Sequence, residues 1–284
     1  MTIQSLVSTL VLSTLAAMPS PSAGSSAPAC PSGDGSDLVY ADGFEAPRAF
    51  TAFASDVSND QFITFDLLNP SVVVPVGDAG GTAFLMDFVG DDFSKVFGID
   101  TFGTMVNTFA TIDTATGAIT PIGVSNPSAD AGGWTGFKYD RSTGVAYAVA
   151  TTCGSASHLY TIDIGTGAST LVGEIQGLPC VYRIAISPDG ALVGLDTVAD
   201  ALYSIDKTSG DASLVGPIGF DVGTDQDLDF DDSSGQLYYA GFNGDTGLEE
   251  IRTIDPSALI GQLDSGFIAG FAIAASAGVC PARH

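Results

Sequence analysis

Short apolar runs separated by turn residues follow one another along most of the chain. In the middle of the sequence, four such runs occupy residues 134–139, 144–151, 158–163 and 168–172. They are rich in β-branched and aromatic residues, and clusters of Asp, Ser, Thr and Gly separate them, which is typical of strands joined by tight turns. The pattern therefore predicts a unit of four antiparallel β-strands.

This unit repeats, and an aspartate at the end of its third run marks each copy. The marking residues are Asp66, Asp113, Asp163, Asp206 and Asp255, at spacings of 47, 50, 43 and 49 residues. In three copies a turn glycine follows, and an apolar residue with a second glycine closes the unit, as at Gly167 and Gly173. A fixed period of this length indicates a repeat architecture, and four antiparallel strands per repeat form one blade of a β-propeller. We expect the repeated Asp to cap a hairpin turn rather than to bind metal.

The first unit offers only three strands, at about residues 50–56, 62–66 and 72–76, while the chain ends with a single apolar run at 267–275. Phe271 and Ile273 in this last run align with the innermost strands of the other units. The sequence therefore predicts an all-β, five-bladed propeller with four antiparallel strands per blade, closed by the C-terminal strand joining the first blade.

The N-terminal segment has the features of an export signal. Residues 3–17 are apolar but too few to span a bilayer, and a tract of small residues follows, with cleavage expected after Ala23 or Ala29. The expected division is a signal peptide at 1–23, a flexible lead-in at 24–48, the propeller at 49–277 and a tail at 278–284. We therefore expect a secreted or periplasmic protein that is monomeric and not inserted in the membrane.

The chain is strongly acidic, with 33 Asp and Glu against 8 Lys and Arg and a net charge of −25. Such a charge repels phosphate backbones and anionic lipids, so nucleic-acid binding is not expected. The 45% apolar content is ample for a core. Cationic or basic partners are compatible with this charge.

Four cysteines in an exported chain suggest two disulfides, and sequence alone allows three pairings. Ring closure brings both chain ends to the first blade, which favours Cys30 with Cys280. Cys153 lies in a loop between the second and third strands of its unit, and Cys180 in the link to the next one. Because these two kinds of loop leave a blade on the same face, we predict a Cys153–Cys180 bridge.

The rhythm of Thr-Ile-Asp, Thr-Gly and Leu-Val-Gly, with the turn at Ser187–Gly190, resembles the repeats of secreted bacterial β-propellers. These belong to the broad superfamily that contains YVTN, NHL and quinoprotein-dehydrogenase-like repeats. The resemblance extends from about Ala49 to Ala275 and implies the fold. It does not imply a function, because such propellers include lectins, scaffolds, lyases and glycosidases.

Candidate ligand residues gather at one mouth of the predicted channel, where propellers bind ligands. The ends of the second strands and the entrances of the inner strands supply Asp56, Asp100, Trp134, Tyr182, Arg183, Asp196, Asp227 and Asn243. The single Trp beside several carboxylates suits a glycan or a cationic ligand. An envelope protein is a third candidate partner, and a merely solvated loop face is the alternative.

Asp225, Asp227, Asp229 and Asp231 alternate along one strand, which would place like charges on one face. Calcium could neutralise them, with Asp225 and Asp227 as the candidate ligands. However, the segment lacks the glycine that an EF-hand loop requires at its sixth position. No cofactor other than calcium is suggested.

Catalytic signals are few. His158 and His284 are the only histidines, and no nucleophile elbow, zinc motif or phosphate-binding loop occurs in the sequence. The leading interpretation is an exported, non-catalytic binding or scaffold module with an acidic ligand face. The alternative is a carbohydrate-active hydrolase or lyase that uses carboxylates at the channel mouth.

Overall fold

The computed structural model describes residues 51–78, 84–101, 107–154, 156–254 and 258–274. All of them lie in one unit that spans residues 47–279. The regular elements of this described part are β-strands, and no helix within it could cross a membrane. The predicted Cys30–Cys280 bridge lies outside the described residues.

Twenty strands form five four-stranded antiparallel sheets, which are the five blades of a β-propeller. Blade 1 contains β1 (Thr51–Asp56), β2 (Gln61–Asp66) and β3 (Asn69–Asp78). Blade 2 contains β4 (Phe84–Asp87), β5 (Lys95–Asp100), β6 (Thr108–Asp113) and β7 (Ile119–Val124). Blade 3 contains β8 (Gly133–Asp140), β9 (Val145–Thr151), β10 (Ser157–Ile162) and β11 (Ser169–Ile175). Blade 4 contains β12 (Val181–Ile186), β13 (Leu192–Asp196), β14 (Ala201–Ile205) and β15 (Ala212–Pro217). Blade 5 contains β16 (Val222–Asp231), β17 (Gln236–Asn243), β18 (Leu248–Ile254) and β19 (Ala258–Gln262), and β20 (Ile268–Ile273) follows it.

The C-terminal strand closes the ring as predicted. β20 pairs antiparallel with β1, with Ala54 opposite Phe271 and Ala52 opposite Ile273, so it becomes the innermost strand of blade 1. Both Phe271 and Ile273 are buried. The burial of each side chain contributes roughly 2–3 kcal/mol, and both contributions fall on the seam that holds the first and last parts of the chain together.

The repeated aspartates that the structure describes cap hairpin turns at the rim of the propeller, as expected, while Asp255 lies outside the described residues. The Oδ1 atom of Asp163 accepts hydrogen bonds from the amides of Gly165 and Thr166, each at 2.9 Å. Gly167 completes the turn with a φ of 78°, a left-handed conformation that favours glycine. The same capping occurs at Asp113 and Asp206.

The second repeated glycine has a packing role that the sequence analysis missed. A Cβ atom on Gly173 would lie 2.2 Å from the carbonyl oxygen of Ser209, which belongs to the rim turn of the next blade. At Gly123, a Cβ would lie 2.0 Å from the carbonyl oxygen of Thr166, in the turn of its own next blade. These glycines therefore let the outer strand of one blade pack directly on the turn of the following one.

Candidate ligand site at the channel mouth

Five inner strands, β4, β8, β12, β16 and β20, contact one another around the central channel. All five run in the same direction, and the second strand of each blade returns antiparallel to them. We call the end at which the inner strands begin the upper mouth. The second strands end there, so the predicted ligand residues lie on this face.

A buried lysine holds four inner strands together inside the channel, since its Nζ atom also donates to the carbonyl of Met86 in β4 at 3.4 Å. The Nζ atom of Lys138 in β8 donates a 2.7 Å hydrogen bond to the carbonyl of Phe271 in β20, and its side chain is 1% exposed. The same atom lies 3.5 Å from a carboxylate oxygen of Asp227 and 3.5 Å from one of Asp229, both in β16. The carboxylates also accept hydrogen bonds from the Phe271 and Ile273 amides, at 2.8 and 2.7 Å.

Arg183 in β12 lies across the channel nearer the upper mouth. Its guanidinium donates hydrogen bonds to the carbonyls of Thr135 in β8, Gln226 in β16 and Ala269 in β20. The guanidinium also stacks on the ring of Tyr182, with 4.8 Å between its carbon and the ring centroid. Because its donors are directed at backbone carbonyls of three other inner strands, Arg183 ties four inner strands together.

Burial changes the ionisation of the channel carboxyls. It raises the pKa of Asp227 against the opposing attraction of Lys138 and Arg183. It raises the pKa of Asp229 well above its ordinary value, and the nearby Asp87 adds to the shift. Burial by itself lowers the pKa of Lys138, but the attraction of Asp227, Asp229 and Asp87 outweighs it, so the pKa of the amine is raised. Lys138 is therefore a firmly held cation in the channel.

Above Arg183 the upper mouth opens into a cavity of about 550 Å³, which we call the upper cavity. Its polar lining includes Thr101, Asn107, Thr135, Thr151, Thr152 and Thr224, and its apolar and aromatic lining includes Val57, Leu85, Trp134, Tyr182, Phe267, Ile268 and Ala269. Within the part of the chain that the structure describes, no carboxylate lines this cavity. Its volume is in the range of small-molecule sites.

The threonines of the upper cavity present hydrogen-bond acceptors. The hydroxyl of Thr135 donates to the carbonyl of Val181 at 3.1 Å, and that of Thr151 donates to the carbonyl of Pro179 at 2.7 Å. A hydroxyl oxygen that has given its proton to a carbonyl can still accept a hydrogen bond. Thr135 and Thr151 are each only 5% exposed, whereas Thr152 and Thr224 are exposed. A ligand that carries hydroxyl groups and an apolar face would therefore find its polar partners chiefly at Thr152 and Thr224 beside the apolar lining.

The predicted Cys153–Cys180 disulfide is present and forms part of the cavity wall. Cys153 lines the upper cavity, and its amide donates to the Thr151 hydroxyl at 2.9 Å. The amide of Cys180 donates to Asp196 at 3.1 Å. The bridge therefore fastens the loop after β9 to the link that precedes β12.

Three predicted ligand residues line the upper cavity, namely Trp134, Tyr182 and Arg183. Trp134 is only 4% exposed, because its ring packs edge-on against Tyr160 and its Nε1 donates to the carbonyl of Ser125 at 2.7 Å. The Trp134 ring is thus mostly buried in the core, whereas the side chain of Tyr182 is partly exposed.

Four other predicted ligand residues end second strands as expected, but their described contacts are within the protein. Asp56 accepts hydrogen bonds from the amides of Asn59 and Gly266, at 3.1 and 2.9 Å. Asp196 caps the following turn through the amides at 198 and 199, at 3.0 and 2.9 Å. Asn243 donates to Glu250 at 2.9 Å, and Asp100 is fully buried. The upper cavity is therefore not bordered by these four side chains.

The candidate calcium ligands are only partly described. Asp227 is engaged by Lys138 and Arg183, whose nearest nitrogens lie at 3.5 and 3.7 Å, and the side chain of Asp225 lies outside the described residues. Asp231 accepts hydrogen bonds from the hydroxyls of Ser233 and Ser234, at 2.8 and 2.6 Å. Across the described ranges, no three His, Cys, Asp or Glu side chains are grouped to hold a metal ion. Calcium binding stays a prediction.

Sequence analysis missed Lys138 and Asp87, although the first carried a signal. Lys138 is one of only 8 basic residues and stands between Phe137 and Tyr139 in a predicted inner strand. A cation in such a strand requires a buried counter-charge, and the aspartates of β16 supply it. Asp87 gave no comparable signal, because it is a single acid among many.

Comparisons with known proteins agree with the fold. No protein-family model matches the sequence, and no curated protein matches it significantly. Among solved structures, a chain of the nidogen–laminin complex matches with a TM-score of 0.52 and 10% identity, covering 79% of this chain and 98% of that one. The gluconolactonase XC5397 from Xanthomonas campestris has a TM-score of 0.46 and 12% identity, covering 78% and 79%. The PQQ-bound aldose sugar dehydrogenase from Streptomyces coelicolor has a TM-score of 0.39 and 20% identity, covering 60% of each chain. The nidogen–laminin match agrees with the β-propeller fold and, at 10% identity, bears on nothing beyond it.

Proposed function

We propose that this protein is an exported, non-catalytic β-propeller that binds a hydroxyl-bearing ligand, a sugar, in the upper cavity. The observation that carries the proposal is the lining, which combines threonine acceptors with apolar side chains and Tyr182. Sugars offer the matching surface, since they carry hydroxyl donors at their edges and apolar C–H faces. The described lining has no carboxylate to favour a cationic ligand there.

Binding is favoured over hydrolysis by the engagement of the mouth carboxylates. Glycoside hydrolysis needs two carboxyl groups that face each other across the bound substrate. Asp56 and Asp196 instead cap turns, and Asp227 pairs with Lys138 and Arg183. These contacts support a binding role for the site.

Export is supported by the apolar N-terminal run and by the Cys153–Cys180 disulfide, since disulfides persist in oxidising compartments. Mass spectrometry of the protein recovered from its producing cells should show that the chain begins at residue 24 or 30. Recovery of the intact chain from the cytoplasm with reduced cysteines would contradict export.

Binding should be tested by screening the purified protein on glycan arrays and measuring each hit by calorimetry. Substituting Tyr182→Ala should weaken a bound sugar by about tenfold, because an aromatic wall of the cavity is lost. The control is Val198→Ala, since Val198 is exposed near the same mouth and does not line the cavity.

Two results would overturn the proposal. One is that no sugar binds, or that Tyr182→Ala and Val198→Ala have the same effect on binding. The other is turnover of a polysaccharide that is abolished by Asp→Asn substitution at positions 56, 100 or 196, which would make the protein an enzyme.

A further inference from the structure

Phe267 lies between two openings on the upper face and is 49% exposed. On one side it lines the upper cavity. On the other it lines a second cavity of about 460 Å³ between blades 5 and 1, which we call the side groove. The side groove is lined by Phe242, Leu248, Glu249, Gln262 and Asp264 in addition to Phe267. The exposed ring of Phe267 is therefore accessible from both cavities.

The backbone beneath this ring is held in place. The amide of Val57 donates to the carbonyl of Phe267 at 2.8 Å, and the amide of Phe267 donates to the Ser58 hydroxyl at 3.1 Å. Asp56 accepts the amide of Gly266 at 2.9 Å. Asp56, which was predicted to contact ligand, therefore helps to position the segment with Gly266 and Phe267 that separates the two cavities. The backbone that carries the Phe267 ring is thus fixed by these three hydrogen bonds.

The side groove combines the two kinds of surface that a sugar chain requires. Leu248 and Phe267 supply exposed apolar surface, while Gln262 and Asp264 are exposed polar side chains that can bond hydroxyl groups. An aromatic ring offers a flat apolar face for the C–H face of a sugar. The groove thus repeats the combination of apolar and polar surface found in the upper cavity, and it differs in carrying the carboxylates of Glu249 and Asp264.

We propose that the ligand is a linear oligosaccharide that crosses Phe267, with one end in the upper cavity and the following units in the side groove. This inference rests on the proposed sugar binding and specifies its substrate class. It requires that affinity grows with chain length, because units beyond the first gain contacts with Phe267 and the groove.

The experiment measures affinity by calorimetry for cello-, malto-, laminari- and chito-oligosaccharides, each from the monosaccharide to the pentasaccharide. In the series that binds, the pentasaccharide should bind at least about tenfold more tightly than the monosaccharide. Phe267→Ala should remove this gain and, because its ring also lines the upper cavity, weaken the monosaccharide as well. Leu248→Ala, which changes the side groove alone, should reduce the gain and leave monosaccharide affinity nearly unchanged, whereas Tyr182→Ala should weaken all lengths by the same factor. Val198→Ala is the matched control, an exposed apolar residue that lines neither cavity.

The outcomes separate this inference from the proposed function. If no saccharide binds, the proposed function fails and the inference falls with it. If monosaccharides bind but length brings no gain, or Phe267→Ala keeps the gain, only the extended ligand is disproved. Binding of tetralysine that Phe267→Ala abolishes would assign the groove to a basic peptide and would also overturn the inference. Thermal melts of each variant identify any loss of affinity that is due to unfolding.

Discussion

Asp113 and Asp206 lie in exposed hairpin turns at the rim of the propeller, whereas Asp227 and Asp229 lie buried in its channel. Hydrogen bonds from Thr116 and Thr208 hydroxyls and from turn amides lower the pKa of the two rim carboxyls. Burial raises the pKa of the two channel carboxyls despite the nearby Lys138. One residue type thus has opposite ionisation behaviour in the two regions.

The two regions also differ in where their partners come from. At the rim, Asp113 accepts amides only two and three residues further on, so the turn is complete within one repeat. In the channel, Asp227 accepts the amide of Phe271, which lies 44 residues away in another blade. Rim contacts recur with the repeat, while each channel contact occurs once and joins different blades. The predictions below test whether stability depends on the channel more than on the rim.

The largest expected effect is that of Lys138→Met, which leaves Asp227 and Asp229 buried without their shared ammonium group. Breaking a buried ion pair from one side costs about 3–5 kcal/mol of unfolding free energy. Urea denaturation would measure it. The control is Lys95→Met, since Lys95 pairs with Asp92 at 3.5 Å on the exposed surface and should cost no more than about 1 kcal/mol. Equal costs for the two variants would show that the channel pairing is not important for stability.

Removal of the disulfide should have the next largest effect. The double variant Cys153→Ala, Cys180→Ala loses a cross-link over a sequence separation of 27 residues, which contributes about 3 kcal/mol in the chain-entropy model. With a reducing agent in both samples, which would also open the predicted Cys30–Cys280 bridge in each, the variant and the wild type should unfold at the same temperature. The variant should also bind sugar more weakly, because Cys153 lines the upper cavity. A melting temperature that reduction does not change would contradict this prediction.

Gly173→Ala tests the packing of one blade on the rim turn of the next. The added methyl group would meet the carbonyl oxygen of Ser209, and such overpacking costs about 1–3 kcal/mol. Gly216→Ala is a matched control, because Gly216 occupies the same repeat position and its Cβ would have no described atom within 4 Å. Chemical denaturation of both variants should therefore show a clear difference. Equal unfolding free energies for the two variants would mean that the blades can move apart to admit the methyl group without loss of stability.

Sequence predicted the rim better than the channel for a physical reason. The turn at Asp163 and Gly167 depends on neighbours in the chain, so its residues recur wherever the turn recurs. Strand number, ring closure and the Cys153–Cys180 bridge followed from the same repetition and are confirmed. The pairing of Lys138 with Asp227 depends on which inner strands face each other across the channel, and no local pattern encodes that.

The candidate site was predictable only in part for the same reason. Residues that end the second strands could be assigned to the upper mouth, because strand direction fixes the face on which they lie. Whether a side chain there turns to the cavity or to its own loop depends on the turn that follows. Asp56 and Asp196 turn to their loops, whereas Tyr182 and Arg183 line the cavity. The exposed ring of Phe267 was assigned only as part of a core strand.

The smallest expected effect is a difference in pH dependence between Asp113→Asn at the rim and Asp229→Asn in the channel. Asp113 has a folded pKa below its ordinary value of 3.8, so its contribution to stability is present above that value and is lost as the pH falls through the folded pKa. The stability advantage of the wild type over Asp113→Asn should therefore shrink on acidification. Asp229 has a folded pKa well above 3.8, so its contribution is fully present below that value and is lost as the pH rises through the folded pKa.

The advantage of the wild type over Asp229→Asn should therefore shrink as the pH rises, which is the opposite direction. Asp229 is surrounded by Lys138, Asp87 and Asp227. The raised pKa of Lys138 keeps its amine charged over the acidic and neutral range. The change of the unfolding free energy difference with pH therefore reports the ionisation of the carboxyl groups. Because each comparison is made against the wild type at the same pH, the general repulsion within a chain of net charge −25 largely cancels. Urea denaturation of the wild type and both variants at a series of pH values from acidic to neutral provides the measurement. Slopes of the same sign would show that the channel and rim aspartates ionise alike, and the contrast between the two regions would then be limited to their packing.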